Sequence, residues 1–132
     1  MTLSELNNRF LYVTDKELYG VSEYWSELED VDNKLIGDCE SYAITCKKHI
    51  EDFRDWNYHW CKLNGTGHCI LVSPDGEYMI DNNVKCITPL DSYINNFGFT
   101  VTELRAYTDL ELWWKFTCAK ILRVWFKFRG KI

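Results

Sequence analysis

From Cys39 onward the apolar side chains recur at the spacing of a helix, and the pattern then changes to that of strands. Cys39, Tyr42, Ala43, Cys46, Ile50 and Phe53 stand at intervals of 3, 4, 7, 11 and 14 residues from the first. That is one buried stripe of an α-helix, with Lys47, Lys48, Glu51 and Asp52 on its wet side. Gly37 or Asp38 is a natural place for it to start. Tyr58 to Leu63 and His68 to Val72 then read as strands on either side of a turn within Asn64-Gly65-Thr66-Gly67. His68 to Val72 is apolar on both faces, so cover is expected on both. Pro74-Asp75-Gly76 is a strong turn signal, and Tyr78 to Asp81 returns from it. Phe99 to Tyr107 alternates as a further strand. A helix followed by neighbouring strands predicts an α+β fold in which the Cys39 helix packs on an antiparallel sheet.

The chain has 132 residues, 46% hydrophobic and 16% aromatic. One domain over 1–132 with a core of its own is the expectation. Before Cys39, Leu3, Leu6, Phe10 and Leu11 fall at helical spacing, with Thr2 or Ser4 as cap. Tyr24, Trp25 and Leu28 suggest a second helix within Val21 to Asp30. No apolar run is long enough to span a membrane. The N-terminus lacks the basic and apolar regions of a secretory signal, so a cytoplasmic location is expected. A compact, signal-less chain of this kind is also compatible with a phage or mobile-element product.

Cys39 lies between Asp38 and Glu40 at the start of its helix, and His68 and Asp81 follow on the two strands. Cysteine, histidine and acid in that order supply a nucleophile, a base and an orienter. The positive end of a helix and a nearby imidazolium both lower a thiol's pKa. The Cys39 backbone N–H, unpaired at a helix start, could face an oxyanion. Asp38 and Glu40 oppose a thiolate by like charge. If the hairpin closes on Asp75-Gly76 with Pro74 facing Glu77, opposed residues sum to 151 and Ile70 faces Asp81. His68 and Asp81 are then diagonal neighbours, about 7–8 Å apart at the backbone and bridgeable by side chains. A slip of one residue would place them on opposite faces. Asn82 is a second, weaker orienter.

These residues carry a resemblance. Tyr12-x-x-Asp15, Tyr19-Gly20, Tyr24-Trp25 and Gly37-Asp38-Cys39-Glu40-Ser41-Tyr42-Ala43-Ile44 resemble the bacterial transglutaminase-like cysteine proteinase family. Gly67-His68-x-Ile70-Leu71-Val72 and Tyr78-Met79-Ile80-Asp81-Asn82 fit its histidine and aspartate strands. The likeness spans roughly residues 7–95. It implies a papain-like, transglutaminase-like fold and a Cys39–His68–Asp81 triad acting on a protein or peptide through an acyl-enzyme. It also implies that Asp38 and Glu40 help to bind Ca²⁺, which would explain the acids beside the nucleophile. Trp25 becomes a candidate for assisting the oxyanion. Ser41 stands where the family often has an aspartate. Two other functions use the same residues: acyl transfer to an amine, and a non-catalytic binding or inhibitory protein on the same scaffold.

Six cysteines, Cys39, Cys46, Cys61, Cys69, Cys86 and Cys118, form no C-x-x-C pair and read as reduced thiols. Cys46-x-x-His49 with His59-x-Cys61 is the alternative, a zinc site. Charge is uneven along the chain. Residues 1–111 hold all 20 acids and 9 basic residues, a balance of −11, whereas 112–132 hold 6 basic residues and no acid. The acidic body argues against nucleic-acid binding. The basic, aromatic segment at about 110–128 reads as a helix. Its alternatives are a helix packed on the core and an amphipathic helix at a membrane surface or partner. The last few residues are expected to fray.

Overall fold

The computed structural model describes residues 1–128. Expected fraying of the last few residues therefore lies outside the described residues. Thr2 caps α1 (Leu3–Arg9) by accepting the Glu5 N–H at 3.1 Å. β1 (Phe10–Tyr12) follows, then α2 (Asp15–Tyr19), opened by a reciprocal Thr14–Glu17 capping box. The chain then runs without regular structure to β2 (Glu29–Val31) and β3 (Lys34–Gly37). No helix forms within Val21 to Asp30, contrary to the apolar stripe. The Tyr24 N–H goes to Asp15 Oδ2 at 2.7 Å and the Leu28 N–H to Thr45 Oγ1 at 3.0 Å. Side chains from elsewhere thus take two of the donors that such a helix would use internally.

Gly37 passes directly into α3 (Cys39–His49), which Asp38 caps by accepting the Ser41 N–H at 3.2 Å. A Cβ on Gly37 would lie 2.7 Å from Leu28 Cδ2 and 2.9 Å from Ser41 Cβ. Only glycine lets the strand approach the helix start so closely. The helix ends at His49, and a 3-10 turn at Glu51–Phe53 keeps Ile50 and Phe53 in the core. Every residue from Glu40 to Cys46 is buried, so the first two turns have no wet side. The periodicity had suggested a single buried stripe; α3 is instead enclosed between a sheet and the N-terminal elements.

The main sheet comprises β4 (Asn57–Leu63), β5 (Thr66–Val72), β6 (Tyr78–Ile80), β7 (Thr88–Pro89) and, after α4 (Leu90–Asn96), β8 (Val101–Ala106). Its order is β7-β6-β5-β4-β8, antiparallel throughout. Asn64-Gly65 alone forms the β4–β5 turn, with φ of 52° and 84°, the left-handed values of a tight hairpin. Leu71 pairs with Ile80 and Val72 with Met79, the expected sum of 151. The loop itself is longer: Ser73 pairs with Tyr78, and the Gly76 N–H returns to the Ser73 carbonyl. Pro74 has no N–H to extend the ladder, so it enters the turn instead.

β5 is covered on both faces. Cys69 and Leu71 join the larger core with α3, while Ile70 and Val72 join a smaller one with Met79 and Tyr93. A second sheet, ordered β1-β3-β2 with β1 parallel to β3, carries the chain into α3. α5 (Asp109–Phe128) closes the larger core with Leu112, Phe116, Ala119, Leu122 and Phe126. Among the described residues, no helix is long and apolar enough to cross a membrane.

Candidate active site

The hairpin register brings His68 to Asp81. His68 Nε2 lies 2.8 Å from Asp81 Oδ2, and both side chains are buried. Tyr93 donates its hydroxyl to the same oxygen at 2.7 Å. The backbone N–H groups of Asn83 and Val84 donate to Asp81 Oδ1 at 2.9 and 2.8 Å. Burial alone would raise the Asp81 pKa; the bonds from His68, Val84 and Tyr93 outweigh it and hold the carboxyl below its ordinary value. Asn82 makes no bond to His68, and its Oδ1 is buried without a partner.

Cys39 is the first residue of α3, where helix-start N–H groups have no partner inside the helix. Its thiol donates to Glu40 Oε2 at 3.2 Å, not to His68. Burial and then the Glu40 carboxylate push the thiol pKa up, while the Cys69 backbone N–H favours the thiolate. The helix start therefore does not by itself activate the sulfur.

A third acid joins the two that flank Cys39. Asp15, Asp38 and Glu40, all buried, bring carboxylate oxygens within 4.8 Å of one another. Parallel pairing of β1 with β3 is what carries Asp15, just past β1, to the entrance of α3. Burial first, then repulsion among the acids, pushes Glu40 up to about 10. Burial likewise lifts Asp15 to about 7. Asp15 Oδ1 is buried with no hydrogen-bond partner. An orphaned oxygen among three buried hard-oxygen donors fits a divalent cation such as Ca²⁺. Asp38 and Glu40 were legible as metal-site candidates. Asp15 was not: it entered only through the Tyr12-x-x-Asp15 motif of the resemblance, and no ligand role was read from it.

Cys39 and His68 line one open cleft of about 400 Å³, together with Tyr12, Asp15, Trp25, Asp38, Glu40, Trp60 and Tyr107. A second depression of about 410 Å³ adjoins it and shares Tyr12 and His68. None of the residues lining either comes from α5.

The chain matches, over residues 3–119, a family model described as bacterial transglutaminase-like cysteine proteinase. It belongs to that family. No curated protein matches the chain. Membership makes the protein a cysteine peptidase with an α+β, transglutaminase-like fold, and peptides or proteins its substrate class. The match runs beyond the residues that carried the resemblance and ends inside α5.

Two other site expectations meet a different arrangement. Trp25 borders the cleft, but its indole N–H donates to Glu23 at 2.8 Å and its ring packs on Tyr58, Tyr107 and Phe116. In this state it has no donor left for an oxyanion. The zinc dyads do not assemble among the described residues: Cys46 and Cys61 are buried in separate parts of the core, and His49 pairs with Glu27. Asp15, Asp38 and Glu40 are the one cluster of three metal-ligating groups among the described residues.

Proposed function

We propose that this cysteine peptidase works through a Cys39–His68–Asp81 triad and a thioester acyl-enzyme, with a cation held by Asp15, Asp38 and Glu40. The observation that carries the reading is the buried 2.8 Å contact of His68 Nε2 with Asp81. It leaves Nδ1 as the nitrogen available to Cys39 in the cleft the two residues share. Rotation of the Cys39 side chain from Glu40 toward His68 sets up the nucleophile. His68 takes the thiol proton at Nδ1, and the sulfur bonds to the scissile carbonyl carbon. The Cys39 backbone N–H, at the first position of α3, would serve as a donor to the developing oxyanion. His68 then gives that proton to the leaving amine as the C–N bond breaks, and a thioester remains. Water attacks the thioester, passes its proton to His68, and the acid leaves as the thiol is restored. Asp81 keeps the imidazole in one tautomer and steadies its positive charge throughout.

Asp15, Asp38 and Glu40 would hold Ca²⁺ through carboxylate oxygens, with further ligands from backbone or water. A cation there would supply the positive charge that makes a thiolate beside three acids affordable. The chain's own contribution is to hold three carboxylates together against their repulsion. The shared lining of the two depressions, with His68 at their junction, supports an extended peptide lying across both.

The test compares wild type with Cys39→Ala on a proteome-derived peptide library, with calcium and with a chelator. Wild type should cleave in calcium, and Cys39→Ala should cleave nothing while keeping its circular dichroism and melting profile. Iodoacetamide at about pH 6 should label wild-type Cys39 faster than an ordinary exposed thiol once calcium is present. Cleavage that persists in Cys39→Ala would overturn the assignment.

A further inference from the structure

α5 has two apolar faces, and the core uses one. Leu112, Phe116, Ala119, Leu122 and Phe126 face inward. Leu110, Trp113, Trp114, Ile121, Val124 and Phe128 stand on the opposite side, and each is between 60% and 89% exposed. Their spacing of 3, 4, 11, 14 and 18 residues from Leu110 keeps them within one outward stripe. Lys120 and Lys127, both exposed and seven residues apart, lie along one border of that stripe. Beyond Glu111 the sequence carries no acid at all, and Arg129 and Lys131 follow the described residues. Isolated exposed apolar residues need no explanation, but six on one face of a single helix do.

We propose that the outer face of α5 docks on an anionic lipid bilayer, lying in the plane of its surface. Trp, Leu, Ile and Phe on one face with lysines beside them is the composition of an interfacial helix. Tryptophan rings suit the headgroup depth, and lysine stems lie along apolar surface while the ammonium groups reach lipid phosphates. Charge decides between occupants. A second copy would bring the same two lysines and, on this border, Asp109 of the first turn as their sole counter-charge among the described residues of α5. A neutral bilayer would leave the lysines without partners. The acidic body lies on the inner side of α5, where Glu23 already holds Lys115 at 2.8 Å. The helix lies on the bilayer and does not cross it.

The test is co-flotation of the full chain with vesicles of phosphatidylcholine alone and of an equal mixture with phosphatidylglycerol. Binding to the anionic vesicles should exceed binding to neutral ones by at least about tenfold, since each basic residue adds roughly a fivefold preference. It should weaken as salt is raised. Ile121→Glu with Val124→Glu should abolish flotation, and Lys120→Glu with Lys127→Glu should remove the preference for anionic lipid. Both pairs are exposed, so circular dichroism and Cys39 labelling should match wild type. Equal binding to both vesicle types, or none to either, would overturn the proposal. So would self-association in sedimentation that Ile121→Glu with Val124→Glu removes without any flotation of wild type; the face would then belong to a second copy.

Discussion

Asp15 and Asp81 are equally buried, each 1% exposed, and their surroundings are opposite. Both Asp81 oxygens are filled by donors from His68, Tyr93, Asn83 and Val84. Asp15 receives one N–H, from Tyr24, and otherwise meets two more carboxylates and an unfilled position at Oδ1. One carboxyl is held below its ordinary pKa by its donors; the other is lifted to about 7 by burial. The His68–Asp81 half of the site is therefore fully hydrogen-bonded within the protein alone. The Cys39 half is assembled around three buried acids, and the thiol turns to Glu40 among them.

That contrast predicts unequal losses of turnover. Asp81→Asn keeps the shape but removes the charge that balances an imidazolium. Turnover should fall about 10³- to 10⁴-fold with little change in Michaelis constant, and no concentration of calcium should restore it. Asp15→Asn should cost about 10- to 100-fold and recover as calcium is raised, because the lost ligand weakens affinity and leaves the triad intact. Steady-state kinetics over a calcium titration separates them. Equal losses that calcium leaves untouched would end the division into a finished half and a waiting half.

Stability should move in opposite directions for the same pair. In a chelator, Asp15→Asn should melt higher than wild type, because it removes one of three crowded carboxyls. Asp81→Asn should be about 2 kcal/mol less stable with or without calcium, since bonds to a charged acceptor are worth roughly 1.5–3 kcal/mol. Calcium at about a hundred times its dissociation constant should stabilise wild type by about 2.7 kcal/mol. Asp15→Asn should lose most of that gain. Thermal unfolding with calcium and with chelator gives all the comparisons.

A smaller effect follows from acid. The Asp81 carboxyl is held below the ordinary value of 3.8, so its ionised form favours the folded state. That contribution is complete above 3.8 and is lost as pH falls through the lower folded value. The stability gap between wild type and Asp81→Asn should therefore be level at neutral pH and close in strong acid. A gap that widened on acidification would mean that Asp81 is protonated in the fold.

The legible half of the site is the half with short-range rules. Turn chemistry at Pro74-Asp75-Gly76 and the period of two along each strand determine which residues oppose one another, so His68 and Asp81 could be paired from sequence. The length of the loop did not follow, but the parity did, and parity is what places the two side chains on one face. Asp15 had no such rule. It reaches Glu40 through pairing between β1 and β3, strands of three and four residues with too few positions to show alternation. The helix expected within Val21 to Asp30 misled for a related reason: a stripe of Tyr24, Trp25 and Leu28 looks helical, while the chain there is held by Asp15 and Thr45. Sequence periodicity records burial, and extended chain can be buried too.

The smallest expected effect lies next to Asp81. Asn82 was the alternative orienter, and it is 8% exposed with an unpaired Oδ1. Removing one partner of a buried hydrogen bond is costly because the other is stranded, but Asn82 Oδ1 strands nothing. Asn82→Ala should change stability by less than about 1 kcal/mol, the packing loss of a short side chain set against relief of an unsatisfied oxygen. Turnover should stay within about threefold of wild type, since His68 keeps its bond to Asp81. The Michaelis constant is where a change would show, because Asn82 borders the depression that adjoins the cleft. Kinetics of Asn82→Ala beside Asp81→Asn therefore asks whether adjacent residues divide substrate contact from support of the base. A fall in turnover for Asn82→Ala comparable to that for Asp81→Asn would mean that the base is held by both.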